Sequence, residues 1–183
     1  MNNTNGLIAE RSKKTIAGAL LKVMQIYDYK EITITQITQE ADVSRKTFYR
    51  HFRDKDEVLS HLFDSLYQEC LFSLKENGTH HYWDVVQYFF DFWEKHAETL
   101  NLMKRSNLLP QLFEESYGKS FEVFRTVRSA DIAEQYDTQL PYLLAYSIGG
   151  MNSMLIKWID NGMCIPSSTL ISCLREGFRS DML

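Results

Sequence analysis

The sequence is poor in the residues that interrupt regular structure. Its 183 residues include three prolines and eight glycines. So little punctuation argues against many short strands joined by tight turns and favours long helices. The three cysteines, Cys70, Cys164 and Cys173, are an odd number without metal-ligand spacing. A disulfide framework is therefore not expected, and no metal or cofactor is expected either. Long apolar runs are also missing. The longest uncharged window, Thr138 to Ile156, is diluted by Gln139, Pro141, Ser147, Gly149, Gly150, Asn152 and Ser153. A membrane span needs about 20 predominantly apolar residues, so this window reads as a buried helix and no membrane partner is expected. The first six residues, Met1-Asn2-Asn3-Thr4-Asn5-Gly6, lack the apolar stretch of a secretory signal. A cytoplasmic location follows as the expectation.

Excess positive charge is lacking as well. The formal net charge is −4, which taken alone points away from nucleic acid. Its distribution reverses that reading. Residues 1–56 hold ten Lys or Arg against seven acids, a net +3, whereas 57–183 hold ten against seventeen, a net −7. Five of the ten head bases fall between Arg45 and Lys55. Clustering of this kind is the electrostatic footprint of a nucleic-acid-binding domain.

Periodicity then supplies the elements. Ile16, Leu20, Val23, Met24 and Tyr27 recur at helical spacing, predicting a helix over 12–27. Thr33 and Gln36 have capping-box spacing and open a short helix with Ile34 and Ile37 on one side. It should end at Ala41-Asp42-Val43, because Asp tolerates the left-handed conformation. Ser44 is a good N-cap for a second short helix through Phe52. Asp54 and Glu57 open a long helix ending near Asn77-Gly78. Further helices are predicted over 82–96, 99–106, 110–128, 141–161, with Gly162 as C-cap, and 167–178. No strand-length alternation, internal repeat or low-complexity segment is visible. The expected fold is all-α.

Two short helices joined by a tight turn after a longer one make a helix-turn-helix. At about 100° per residue, Phe48 and Phe52 share one face of the second short helix. Lys46, Tyr49 and Arg50 share the opposite face, with Arg45 and Thr47 on its flanks. A recognition helix needs this apolar back and donor-rich front.

The run Ile34-Thr35-Gln36-Ile37 … Ala41-Asp42-Val43-Ser44-Arg45-Lys46-Thr47-Phe48-Tyr49-Arg50-His51-Phe52 … Lys55-Asp56-Glu57-Val58-Leu59 resembles the DNA-binding domain of the TetR family of transcriptional regulators. The run Gly149-Gly150 … Lys157-Trp158 … Gly162 … Pro166 resembles one C-terminal subfamily of it; residues 70–140 match only as helical. The resemblance implies a homodimeric regulator of about nine helices. A helix-turn-helix domain over 1–56 would precede a regulatory and dimerisation domain over 57–183. It implies phosphate contacts from Thr33, Tyr49, His51 and Lys55, and major-groove contacts from Arg45, Lys46, Thr47 and Tyr49. Ser44 and Arg50 complete the candidate DNA-facing set. Two positions depart from the family pattern: Asp42 stands where Gly is usual, and Thr38 where Ala is usual.

Nineteen of the 24 aromatic residues lie in the body, densest over Tyr82 to Trp93. This block admits two readings, the core of a bundle or an aromatic-lined ligand pocket. Candidate lining residues are Trp83, Tyr88, Phe92, Trp93, Met103, Phe113, Tyr117, Phe121 and Tyr146. Leu140 to Ile159 is apolar nearly all round and must be buried. It is expected to pair with its copy in a second chain, together with the helix from Ser167. The seam residues are Tyr146, Gly149, Gly150, Ser153, Met154, Trp158, Leu170 and Leu174. His80-His81 is no metal pair, since neighbours on a helix point about 100° apart. No nucleophile–base–acid pattern and no phosphate-cradling Gly loop is present, so an enzyme is not expected. The expected function is a homodimeric repressor at a near-palindromic double-stranded DNA operator, released by a small-molecule effector. The alternative is the same head with a body that answers to a protein partner.

Overall fold

The structure, a computed structural model, describes residues 3–76, 81–127 and 138–179. Among them are ten α-helices, one 3₁₀ turn and no strand. They are α1 (Asn3–Ile26), the turn Tyr29–Glu31, α2 (Ile34–Glu40), α3 (Arg45–His51), α4 (Lys55–Glu76), α5 (Tyr82–Lys95), α6 (Ala97–Arg105), α7 (Leu109–Gly118), α8 (Ser120–Val127), α9 (Leu140–Asp160) and α10 (Ser167–Arg179). The predicted stop at Asn77-Gly78, His80 and the predicted end at Arg128 lie outside the described residues.

The chain forms two compact units. The first comprises 1–66 and 102–108, and the second 67–101 and 109–183. Helices α4 and α6 contribute to both.

In the first unit α1, α2 and α3 pack on one another. Ile16, Leu20, Val23 and Met24 form the buried stripe of α1, joined by Ile37, Phe48, Phe52, Val58 and Leu59. Helix α1 begins nine residues before the predicted start at Ser12. Tyr27 departs from the prediction: it follows the last residue of α1 and is exposed. Tyr29 is the buried tyrosine instead.

Three helices end through a residue with positive φ: Asp42 (φ 52), Asn107 (φ 57) and Gly162 (φ 68). Each is followed by a backbone bond reaching five residues back: Val43 to Thr38, Leu108 to Met103, Met163 to Trp158. This is the Schellman closure, which satisfies carbonyls left free at a helix end. Asp42 thus takes the conformation for which Gly is the usual residue. Thr38 is buried, and its hydroxyl donates to the Thr35 carbonyl at 3.0 Å.

In the second unit α5 packs on α10, α9 on α7 and α8, and α7 on α8. The single helix predicted over 110–128 is two helices. They break at Gly118, where the Lys119 N–H turns back to the Ser116 carbonyl. Glycine lowers helix propensity enough to permit that break. The N-terminus of α10 is held by two acids of α5. Ser167 Oγ lies 2.6 Å from Asp91 Oδ1 and 2.8 Å from Glu94 Oε2. Carboxylates are favoured there by the positive end of the helix dipole.

Within a single chain α9 is covered along only part of its surface. Leu140, Leu155, Trp158 and Ile159 are buried, but Tyr142 is 78% and Tyr146 71% exposed. Trp158, expected at the seam, is already covered within the single chain. It is 3% exposed, donates Nε1–H to the Ile165 carbonyl at 2.8 Å and packs on the Phe90 ring.

Candidate nucleic-acid interface

Helix α3 is set by its ends and its back. Ser44 Oγ accepts the Thr47 N–H at 3.0 Å, capping the N-terminus. Phe48 is fully buried and its ring meets those of Tyr49 and Phe52 at 5.5 and 6.0 Å. These contacts fix the rotation of α3, so the opposite face must look outward. Arg45, Lys46, Tyr49 and Arg50 are exposed, and Thr47 and His51 half-buried. The Arg45 guanidinium lies 6.0 Å from the Tyr49 ring centroid, within cation–π range. Four exposed long side chains, three of them cationic, thus stand on one short helix.

Helix α2 presents the capping box. The Thr33 N–H and hydroxyl both donate to Gln36 Oε1 at 2.8 Å, and Thr33 Oγ1 accepts the Gln36 N–H at 3.3 Å. His51 has its pKa lowered from 6.5, by burial first and then by the positive charges of Arg50 and Lys13. Burial and the neighbouring cations favour the neutral ring, and an anion brought beside it would favour the protonated form.

Lys55 differs from its expected role. Its ammonium donates to the carbonyls of Tyr29, Lys30 and Ile32 at 2.7, 3.0 and 3.0 Å. An ammonium has three donors, and all three are engaged within the unit, so its side chain is no free phosphate contact. It also lies 4.8 Å from the Tyr29 ring centroid. Next to it, the Tyr29 hydroxyl donates to Asp56 Oδ1 at 2.5 Å. Together these bonds fasten the first turn of α4 to the connection between α1 and α2. Sequence reasoning missed this fastening, because its partners are 23 to 27 residues apart with no local pattern.

Glu57 behaves nearly as predicted. Its N–H donates to Asp54 Oδ1 at 2.9 Å, but its carboxylate accepts from the Arg53 N–H at 2.6 Å rather than from Asp54. That bond lowers the Glu57 pKa.

The candidate pocket residues do not share one environment. Phe92 and Trp93 are buried against each other at 5.3 Å, and Phe92 lies 4.4 Å from the His96 ring. Trp83, Tyr88 and Phe113 are half-buried, and Tyr117, Phe121 and Tyr146 are exposed. Met103 is fully buried and belongs to the first unit. Phe92, Trp93 and Met103 are therefore core residues. Polar groups missed in the sequence stand beside them: Glu69 accepts from Lys95 at 2.7 Å and lies 3.2 Å from His96. The neighbouring Cys70 thiol is pushed up to about 12 by burial, which makes it unreactive.

Of the seam candidates, Gly149, Gly150 and Ser153 are exposed along α9 with Tyr146, and Met154, Leu170 and Leu174 are half-buried. Among the described residues, no helix is long and apolar enough to cross a membrane.

Comparison with known proteins agrees with this geometry. A family model described as bacterial regulatory proteins, tetR family, matches residues 16–62. That stretch runs from the buried stripe of α1 to the second turn of α4. One relative is the HTH-type dhaKLM operon transcriptional activator DhaS of Lactococcus lactis subsp. lactis (strain IL1403). It is 28% identical over 123 residues, 60% of this chain and 64% of the relative. Another is the uncharacterized HTH-type transcriptional regulator YxbF of Bacillus subtilis (strain 168). It is 24% identical over 172 residues, 87% of this chain and 42% of the relative. The chain thus spans less than two thirds of either relative.

Proposed function

Residues 16–62 match the tetR family of bacterial regulatory proteins, and on that premise we propose that the chain is a TetR-type regulator that binds a near-palindromic DNA operator as a homodimer. The observation that carries the reading is α3, with its buried Phe48 back and its exposed Arg45, Lys46, Tyr49 and Arg50 front. In this reading α3 enters the major groove, where bidentate donors distinguish base pairs. Thr33, Ser44, Thr47 and His51 supply flanking contacts. Half-sites would lie about 35 Å apart, one helical turn. Changing Lys46 and Tyr49 together to Ala should abolish selective binding to a duplex selected by the wild-type protein. Retained selectivity in an anisotropy titration would refute the assignment.

Homodimer formation is supported by the outer face of α9. Tyr142, Leu143 and Tyr146 are large and exposed, and Gly149, Gly150 and Ser153 leave room for close helix approach. Exposed apolar surface of this kind favours association. Sedimentation should give a dimer at micromolar concentration, and a monomer there would exclude the seam.

For regulation, the first reading is a repressor released by a small molecule bound in the body. An effector acts only through differential affinity for operator-competent and incompetent states. A second reading has a specific support: the candidate pocket residues divide between core and surface. In it the body answers to a protein partner. The name of the Lactococcus relative, an activator, adds activation as an alternative sign. Calorimetry against metabolite pools and capture of a protein partner separate the two readings. Transcription from an operator-bearing promoter fixes the sign.

A further inference from the structure

The proposed function leaves open which side chain of α3 reads a base, and which base it reads. Three cations stand on the exposed front: Arg45, Lys46 and Arg50. They differ in place and in shape. Base edges are met by the N-terminal residues of a recognition helix. Arg45 is the first residue of α3, directly after the Ser44 cap. Arg50 is five residues further on, about 7.5 Å along the axis, and its Nη2 lies 3.5 Å from His51 Nε2. Lys46 is at the N-terminal end, but an ammonium is a point charge without a planar fork. Thr47 is short, and its hydroxyl lies 3.0 Å from Ser44 Oγ. In α3, Arg45 alone combines the N-terminal place with two parallel donors.

Its guanidinium also has a support. Arg45 and Tyr49 are four residues apart and neighbours on one helical face. Arg45 Nη2 lies 3.5 Å from Tyr49 Oη, and Cζ lies 6.0 Å from the Tyr49 ring centroid. The Tyr49 ring is braced edge-on against the buried Phe48 ring at 5.5 Å. The support thus runs from the core of the unit to the exposed fork. Among the described residues no carboxylate pairs with Arg45. No ion pair has to break before the fork meets a base. Ordering a long side chain costs free energy on binding, and an aromatic surface beneath it reduces that cost.

We propose that Arg45 reads a guanine, with Tyr49 as its positioning residue. In the major groove guanine presents N7 and O6 as adjacent acceptors, which a guanidinium meets with two N–H groups. Adenine carries an amino donor where guanine carries O6, so one of the two bonds is lost. The inference rests on the proposed function and adds to it the identity of one base pair, a G·C pair at the same place in each half-site.

The test starts from duplexes selected by the full wild-type chain out of a random-sequence pool. Fluorescence anisotropy then follows single changes in one half-site. Wild type should show one G·C pair whose replacement by A·T lowers affinity about 5- to 150-fold. Replacing that guanine by a deazaguanine, which lacks N7 but keeps its base pair, should also lower affinity. This arm uses the wild-type protein and does not depend on how a variant folds. Arg45→Lys keeps the charge and loses the fork. It should bind the G·C and A·T duplexes alike, with the slope of log affinity against log salt unchanged. Tyr49→Leu should shrink the discrimination at that pair, and Tyr49→Phe, which keeps the ring, should restore it. Phosphate contacts weigh on both duplexes alike and leave that ratio unmoved. Wild-type discrimination at every pair in Arg45→Lys overturns the inference. So does a half-site in which loss of N7 costs nothing at any guanine. If wild type selects no sequence from the pool, the proposed function itself fails, and the inference falls with it.

Discussion

Tyr29 in the first unit and Tyr67 in the second are tied down by the same chemistry. The Tyr29 hydroxyl donates to Asp56 at 2.5 Å, and the Tyr67 hydroxyl to Glu122 at 2.7 Å. A lysine ammonium lies 4.8 Å from each ring centroid, Lys55 in one case and Lys119 in the other. The difference lies in reach and burial. Tyr29 is buried and bonded 27 residues along the chain, whereas Tyr67 is half-buried and bonded 55 residues along. Within 1–66 the first unit is closed by bonds of shorter span, and its one distant segment, 102–108, is tied on by Arg105, which donates to the Met24 carbonyl at 2.6 Å. The second is assembled from segments distant in sequence. Short loops lose less entropy on closure than long ones, so the first unit should be the more autonomous of the two.

The strongest way to break this comparison is to empty each core in turn. Phe48 and Phe90 are both fully buried. Truncating either to Ala should cost about 3–5 kcal/mol. Hydrogen exchange should show Phe48→Ala removing protection from α1–α3 and abolishing DNA binding, with protection retained in α5 and α10. Phe90→Ala should do the reverse. If both variants lose protection everywhere, the two units fold as one and the comparison fails.

Next in size is Lys55→Met. It leaves three carbonyls without their charged donor, and a hydrogen bond to a charged group is worth about 1.5–3 kcal/mol. Denaturant unfolding should show a loss of about 2 kcal/mol. The salt dependence of DNA binding should stay as in wild type, because the ammonium neutralises no phosphate. A fall in slope of about 0.9 per chain would put Lys55 on the DNA after all.

Smaller still are Tyr29→Phe and Tyr67→Phe. Each removes one hydroxyl bond, worth about 1 kcal/mol for the buried Tyr29 and less for the half-buried Tyr67. The pH dependence follows from the same groups. Both hydroxyls have pKa values raised above 10, by burial first and then by their carboxylate partners. A raised folded-state value gives stability that is full below the unfolded value and lost as pH rises past it. Wild type should therefore lose stability above pH about 10. Each Phe variant should flatten that loss, Tyr29→Phe more than Tyr67→Phe. Equal flattening would remove the distinction between the units.

These contrasts also explain what was legible in the sequence. The caps at Thr33 and Ser44, the turn at Asp42 and the Phe48–Phe52 back are local events, completed within three to five residues, so the pattern states them directly. The Lys55 and Tyr29 bonds are not local, and no spacing rule anticipates an ammonium closing over carbonyls 23 to 26 residues away. Helix α9 was legible as apolar but not as divided. Which face is covered depends on α7 and α8, segments some 20 to 30 residues away. The break at Gly118 has no decisive local signal, since one glycine lowers helix propensity without requiring a turn.

The smallest predicted effect tests the edge of the interface. His51 has its pKa lowered from 6.5 because it is partly buried and faces Arg50 and Lys13, with Glu10 acting weakly in the opposite sense. Near pH 7 the free protein therefore carries it neutral. A phosphate brought beside the ring raises its pKa in the complex, so binding takes up a proton as pH falls. Affinity should rise on going from pH 7.5 toward 5.5 and level off below the pKa of the free protein. The gain is about tenfold for each unit by which the phosphate raises that pKa. His51→Gln keeps a hydrogen-bonding side chain without this titration. It should bind with an affinity that is flat across the same interval, measured at constant ionic strength. An unchanged slope in the variant would assign the proton uptake to another group and remove His51 from the phosphate contacts.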